Sequence, residues 1–186
     1  MFILAITPGL GFEAVNWTAL LASGIDAVMI RERQLDAKPL LDLARRVQDL
    51  APHLELWISG RLDVALAAGC GLHAPELYPD VPSVLCRLSR PVHSEAQLAS
   101  RIGCAQLLLG PIFDVPGKGV PWGVERIHRV LDEIPKGPRV LALGGITSMN
   151  AAALLHPRLD GIALIRALRN TPDPARLVEA FRRSWA

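Results

Sequence analysis

Short apolar runs alternate with longer stretches of helical periodicity along the whole chain, which is the signature of β/α units around a parallel sheet. Eight runs read as strands: Phe2 to Thr7, Ala27 to Glu32, Leu54 to Ser59, Gly71 to Ala74, Val84 to Ser89, Ala105 to Ile112, Arg139 to Leu143 and Gly161 to Leu168. Several are near-continuous Val, Ile and Leu, as strands covered on both faces should be; the fourth is weak. Helical patterns are predicted at about 13–23, 36–50, 61–68, 94–103, 122–134, 148–156 and 173–185, and only the fourth connection, "PELYPDVPS", is too proline-rich for a regular helix. The pattern predicts an α/β fold, a compact (β/α)8 TIM barrel in a single domain over 1–186. Barrels usually need about 200 residues or more, so the loops must be short and one or two helices degenerate. An open doubly wound sheet is the rival if two of the strands are false.

The chain of 186 residues supports one substantial core rather than two ordinary domains. Its formal charge of +2 comes from scattered basic residues, which argues against a nucleic-acid partner. The apolar start is too short for a signal peptide and no run is long enough to span a bilayer, so a cytoplasmic protein with no membrane role is expected. Cys70, Cys86 and Cys104 are widely spaced with no Cys-x-x-Cys pair, and are expected to be buried thiols rather than a disulfide framework or zinc site. The oligomeric state is not legible, although an exposed Trp185 would point to a partner surface and a homo-oligomer.

In a barrel the working residues lie where strands end and βα loops begin. Those ends here carry Arg31-Glu32-Arg33, Ser59-Gly60-Arg61, Ser89 to His93, the loop "GPIFDVPGKGVPWG", "LGGITS" and "IRALRN". Several cations with few carboxylates favour an anionic ligand. Arg31 and Arg33 share a strand face and can both point into the mouth, with Glu32 pointing away; the plainer reading is a rim ion pair. Gly144-Gly145 before Ile146-Thr147-Ser148 reads as a strand, a tight turn and a helix start, so that backbone N–H groups face an oxyanion, or else as a simple βα turn. With Arg166 and Ala167 at the end of the last strand, this is where barrels often hold phosphate. Lys118, in a long Gly- and Pro-rich loop, is equally a ligand clamp or a solvated lysine. His93, an imidazole at a strand end, is the candidate acid/base, against the plainer role of a residue preceding a helix cap; His73 is held in reserve.

The blocks "VMIRER", "ISGRLDVALAAG", "RPVHSEAQLA", "LLLGPIFDVPGKG", "ALGGIT" and "DGIALIRAL", in this order, resemble the thiamin-phosphate synthase superfamily of barrels over nearly the whole chain. The resemblance implies one of two activities: a synthase joining hydroxymethylpyrimidine pyrophosphate to thiazole phosphate with Mg²⁺, or a thiazole tautomerase that aromatises a thiazole phosphate carboxylate. The synthase pattern has Gln-x-Arg-x-Lys where this chain has Met29 to Arg33, and Asn-Asp-Arg where it has Ser59-Gly60-Arg61. Its magnesium-ligating aspartate is therefore replaced by Gly60, with Asp80 offered as a second metal position. "IRER", "GRLDVAL" and "VHS" are closer to the tautomerase, in which a histidine at the position of His93 is the general acid/base. Where Arg166 stands, the family commonly has a small serine whose backbone binds phosphate, so Arg166 either grips the phosphate directly or fills its pocket. The resemblance thus implies a tautomerase without cofactor or metal acting on a phosphorylated thiazole. Its carboxylate or pyrophosphate contacts are Arg31, Arg33 and Ser59, and its phosphate contacts are Lys118, Gly144, Gly145, Arg166 and Ala167. The synthase with Mg²⁺ and a non-catalytic phosphate-ligand binding protein are the alternatives.

Overall fold

The computed structural model describes residues 1–9 and 15–185. Eight parallel strands close into a barrel in sequence order: β1 (Phe2–Ile6), β2 (Ala27–Ile30), β3 (Glu55–Ser59), β4 (Gly71–His73), β5 (Leu88–Val92), β6 (Gln106–Leu109), β7 (Arg139–Leu143) and β8 (Gly161–Leu164), with β1 paired to both β2 and β8. Around them lie α1 (Trp17–Leu21), α2 (Ala37–Leu50), α3 (Leu62–Ala67), α4 (Glu95–Arg101), α5 (Gly123–Glu133), α6 (Arg166–Arg169) and α7 (Pro174–Ser184). The open-sheet alternative is excluded by the β1–β8 ladder. No helix among the described residues is long and apolar enough to cross a membrane.

Strand alternation divides the core. Leu4, Ile6, Ala27, Met29, Trp57, Leu108, Leu141 and Ala163 pack together inside the barrel, while the residues between them pack against the helices. Trp57 fills the lumen because Gly71 faces it: a Cβ at Gly71 would sit 2.3 Å from the indole. The N-terminal end is closed by Glu55, which accepts two hydrogen bonds from Arg139 at 2.8 and 2.9 Å and one from Arg87 at 3.2 Å, with the Arg139 guanidinium 3.8 Å from the Phe2 ring centre. Asp26 and Asp160, just before β2 and β8, each accept a backbone N–H of the adjacent strand, from Ile3 and Val140, at 2.7 Å. This end is therefore sealed by paired charge, and the candidate residues lie at the opposite mouth.

Several expected boundaries move. The fifth strand runs 88–92 rather than 84–89: Val84 is almost fully exposed, and the barrel wall continues through Arg90 and Pro91. The eighth strand stops at Leu164, and Arg166 to Leu168, expected to extend it, begin α6; buried Leu168 carries the apolar pattern past the strand end. The helix expected over 148–156 is a 3₁₀ turn, Ala151–Leu154. The first helix covers only 17–21 of the predicted 13–23, of which positions 13 and 14 lie outside the described residues. The fourth connection has no helix, as its prolines require. Cys70, Cys86 and Cys104 are free and half-buried rather than buried, and Trp185 packs partly against the core rather than standing exposed.

The Gly71–Trp57 fit generates a stability prediction. Gly71→Ala forces the lumen tryptophan to move in a close-packed layer and should cost roughly 1–3 kcal/mol, read from urea midpoints at unchanged slope.

Candidate functional site

His93 lies directly after β5 and before α4, for which Ser94 is the N-terminal cap. Its backbone and ring do different work. The His93 N–H donates to Gln97 Oε1 at 2.8 Å, and its carbonyl accepts from Trp122 Nε1 at 3.2 Å. The ring Nδ1 lies 2.5 Å from the Gly110 carbonyl oxygen. A carbonyl only accepts, so Nδ1 must carry the hydrogen, and in the neutral ring Nε2 holds the lone pair. The imidazole itself is exposed at the barrel mouth. The helix-cap role and the acid/base candidacy therefore coexist, one on the main chain and one on the ring. Gln97 and Trp122 were missed in the sequence. Ser94-x-x-Gln97 is a capping-box pattern that points to Gln97, whereas Trp122 resembles any core tryptophan.

Gly110 can turn its carbonyl toward His93 only because it has no side chain: a Cβ there would lie 2.1 Å from the Leu143 oxygen. The following loop stays against the end of β7 through Ile112 N–H to Leu143 O and Phe113 N–H to Gly144 O, both 3.0 Å. Gly144 and Gly145 have φ of 103° and 67°, and Cβ atoms there would lie 2.8 Å from Pro111 and 2.7 Å from Phe113. Both positions therefore need glycine. Among the described residues, their N–H groups donate to no protein acceptor. No α-helix starts at Thr147, contrary to expectation; Thr147 N–H is taken by Asn150 Oδ1 at 2.8 Å. Any anion here meets loop N–H groups rather than a helix end.

Arg31 follows β2, half-buried, its N–H donating to Thr7 Oγ1 at 2.8 Å and its Nη1 lying against Gly9. Burial, and after it the charge of Arg33, lowers its pKa from the usual guanidinium value. Arg33 is not on the strand, which ends at Ile30; it is exposed in the following turn. Glu32 is buried, and its carboxylate accepts from Gly9 N–H at 3.3 Å and Gln34 Nε2 at 2.8 Å. Ser59 ends β3 beside His73 of β4, half-buried. Lys118 is exposed in the β6–α5 loop; Arg166 is exposed at the first position of α6, and Ala167 follows, half-buried. Among the described residues, the charged ends of Arg31, Arg33, Lys118 and Arg166 form no salt bridge, although the charge of Glu32 acts on Arg31.

The acids that a divalent cation would need are absent or engaged. Gly60 offers no side-chain oxygen, and Pro75 lies 3.8 Å from where its Cβ would be. Asp80 is held by Arg90 Nη2 at 3.2 Å, and that buried arginine also donates to the carbonyls of Pro75, Tyr78 and Pro79. Among the described residues no three His, Cys, Asp or Glu side chains converge. Mg²⁺ takes oxygen ligands, commonly one or two carboxylates with substrate phosphates and water, so the lining lacks one side-chain donor of the synthase pattern, at Gly60.

His73 faces the lumen at the end of β4, with Nδ1 3.0 Å from Ser89 Oγ, which in turn accepts from Gln106 Nε2 at 3.3 Å. Burial first, then the charges of Arg90, Arg31 and His93, lower its pKa to about 3. Near neutrality it is held in the neutral form, a weak base with little access to solvent.

A closed parallel barrel whose C-terminal mouth gathers unpaired cations, glycine N–H groups and a solvent-reached imidazole belongs to the (β/α)8 class that carries its chemistry on the βα loops. Residues 12–168 match the family described as Thiamine monophosphate synthase, and the chain belongs to that family. It is 33% identical over 174 residues to the thiamine-phosphate synthase of Albidiferax ferrireducens, covering 84% of this chain and 77% of the relative. To that of Moorella thermoacetica it is 31% identical over 180 residues, covering 87% and 83%. The solved thiamine phosphate pyrophosphorylase from Pyrococcus furiosus has the same fold, with a TM-score of 0.82 at 24% identity over 98% of this chain and 94% of that one.

Proton linkage at His73 makes stability fall in acid. The unfolded ring binds a proton below about 6.5 and the folded one only near pH 3, so within that window folding loses ground as pH drops. The loss at pH 5 is of order 2 kcal/mol, at 1.36 kcal/mol per unit. Denaturant titrations at pH 7 and pH 5 should show this difference in wild type and a smaller one in His73→Asn.

Proposed function

We propose that this member of the family is a thiazole tautomerase, aromatising a thiazole phosphate carboxylate by proton transfer through His93. The observation that carries the reading is the bond from His93 Nδ1–H to the Gly110 carbonyl, which leaves Nε2 as a base at the mouth. Nε2 takes the proton from the ring carbon bearing the carboxylate. The released electron pair enters the ring as the exocyclic double bond shifts inward, and the imidazolium returns a proton to the exocyclic carbon. The net change is an isomerisation that needs no electron acceptor. Arg31, with Arg33 and Ser59 nearby, suits the carboxylate; the N–H groups of Gly144 and Gly145, with Arg166, Ala167 and Lys118, suit the phosphate. Gly60 and the engaged Asp80 support a reaction without Mg²⁺.

The names of the relatives favour a second reading, thiamine-phosphate synthase, which requires Mg²⁺-dependent pyrophosphate release from the pyrimidine and thiazole phosphates. Following aromatisation spectroscopically, with and without Mg²⁺, separates the two. Aromatisation indifferent to Mg²⁺ supports the tautomerase, whereas pyrophosphate release well above background, with no aromatisation, overturns it. Within the tautomerase reading, His93→Gln should lose about 10²–10⁴-fold in kcat with ligand binding retained. Arg166→Ser should weaken thiazole phosphate binding by roughly 1.5–3 kcal/mol by titration calorimetry, the scale of a hydrogen bond to a charged group. Equal or tighter binding would remove Arg166 from the phosphate site.

A further inference from the structure

Outside the groups assigned to substrate, one buried side chain bears directly on the catalytic candidate. Trp122 closes the β6–α5 loop in a Pro-Trp-Gly sequence and is only 5% exposed. Its backbone N–H donates to Pro111 O, and the Gly123 N–H to Ile112 O, both at 2.9 Å, so the end of the loop is pinned to its beginning. Its indole Nε1–H leaves the loop and donates to the His93 carbonyl at 3.2 Å. One helical turn on, the Arg126 guanidinium lies 4.8 Å from the Trp122 ring centre, and its Nε is 3.0 Å from Glu95 Oε1 at the start of α4. The same loop thus grips His93 from both ends. Gly110, at its beginning, takes the ring hydrogen, and Trp122, at its end, takes the backbone carbonyl.

This double grip matters because an exposed imidazole otherwise samples several rotamers and both tautomers. Gln97 fixes the His93 N–H, but that bond belongs to the helix start and leaves the direction of the ring free. The bond from Nδ1 to Gly110 sets the direction only while the main chain of residue 93 keeps its distance from residue 110. The β5–β6 ladder holds the two strand ends together as far as Val92, whose carbonyl accepts the Gly110 N–H at 3.1 Å, and Trp122 is the side chain that fixes the His93 carbonyl one residue beyond it. Its bulk alone does not supply this link, since the indole N–H is the atom that reaches the carbonyl.

We propose that Trp122 is a positioning residue: by holding the His93 carbonyl it keeps the ring on Gly110 and Nε2 available as the base. The proposal rests on the reading of His93 as the acid/base, but its effect on the ring can be measured independently of turnover. Trp122→Phe keeps an aromatic ring under Arg126 and removes only the N–H and part of the bulk. The expected result is a kcat about tenfold lower at a KM within about twofold of wild type, the scale of losing one hydrogen bond that orients a reacting group. In ¹⁵N imidazole spectra, neutral His93 should pass from predominantly Nδ1–H in wild type to a mixture of tautomers in the variant.

The outcomes separate the two claims. An unchanged kcat and an unchanged Nδ1–H signal in Trp122→Phe, with His93→Gln inactive, overturns the positioning role and leaves the acid/base reading standing. If His93→Gln turns over like wild type, the acid/base reading falls. The spectra then decide alone, and a retained Nδ1–H form in Trp122→Phe overturns the proposal. Should Trp122→Phe fail to fold, Arg126→Met carries the test by removing the stacked cation and its link to Glu95. A kcat about threefold lower with partial loss of the Nδ1–H form supports the grip, and wild-type values for both refute it.

Discussion

The close approach of the β6 exit to the β7 exit organises the mouth of this barrel. At Gly110 a side chain would meet the Leu143 carbonyl at 2.1 Å, and at Gly144 it would meet Pro111 at 2.8 Å. With both side chains absent, the loop after β6 lies flat on the turn after β7. Two consequences follow from that single contact. The Gly110 carbonyl is turned onto the His93 ring, and the N–H groups of Gly144 and Gly145 are left without protein acceptors among the described residues. A hydrogen-bond acceptor for the imidazole and donors for an anion thus come from the same packing event. Neither requires a charged residue to be buried.

Charge is distributed to match. At the N-terminal end, Glu55 bridges Arg139 and Arg87, whose guanidiniums lie over the Phe2 and Trp57 rings. Around the mouth, several acids are engaged by neighbours: Asp80 by Arg90, Glu95 by Arg126, Glu76 by Gln97, and Glu32 by Gly9 and Gln34. Arg33, Lys118 and Arg166 form no salt bridge among the described residues, while the charge of Glu32 acts on Arg31. The balance of charge there favours an anion. His73 is the exception that clarifies the arrangement. It is buried among cations and stays neutral, so the proposed proton transfer falls to the exposed imidazole of His93, which keeps contact with water.

Much of the fold was legible because strands of a two-sided parallel barrel are apolar on both faces, so Val28, Ile58 or Leu107 announce their strands directly. Legibility failed where that rule loosens. The fifth strand carries Ser89 and Gln106-facing polar atoms toward the lumen and Arg90 outward into a cradle of carbonyls, so the more apolar stretch before it took the assignment. The eighth ran too far because Leu168 of α6 continues the same hydrophobic pattern. At the site, the position of His93 could be read from its place between a strand and a helix. Its tautomer could not, since it is set by a carbonyl 17 residues away. The part played by Trp122 was equally hidden, because a hydrogen bond to a backbone oxygen leaves no mark on the sequence around either partner.

The central claim is that this mouth moves a proton on a thiazole phosphate carboxylate without a metal, and proton magnetic resonance tests it most directly. The non-aromatic thiazole phosphate carboxylate would be incubated with the purified protein in excess EDTA. The account predicts that the signal of the hydrogen on the ring carbon bearing the carboxylate disappears, and that the aromatic product grows in at a rate proportional to protein. A substrate left unchanged, with turnover appearing only after Mg²⁺ and the pyrimidine pyrophosphate are supplied, would contradict it.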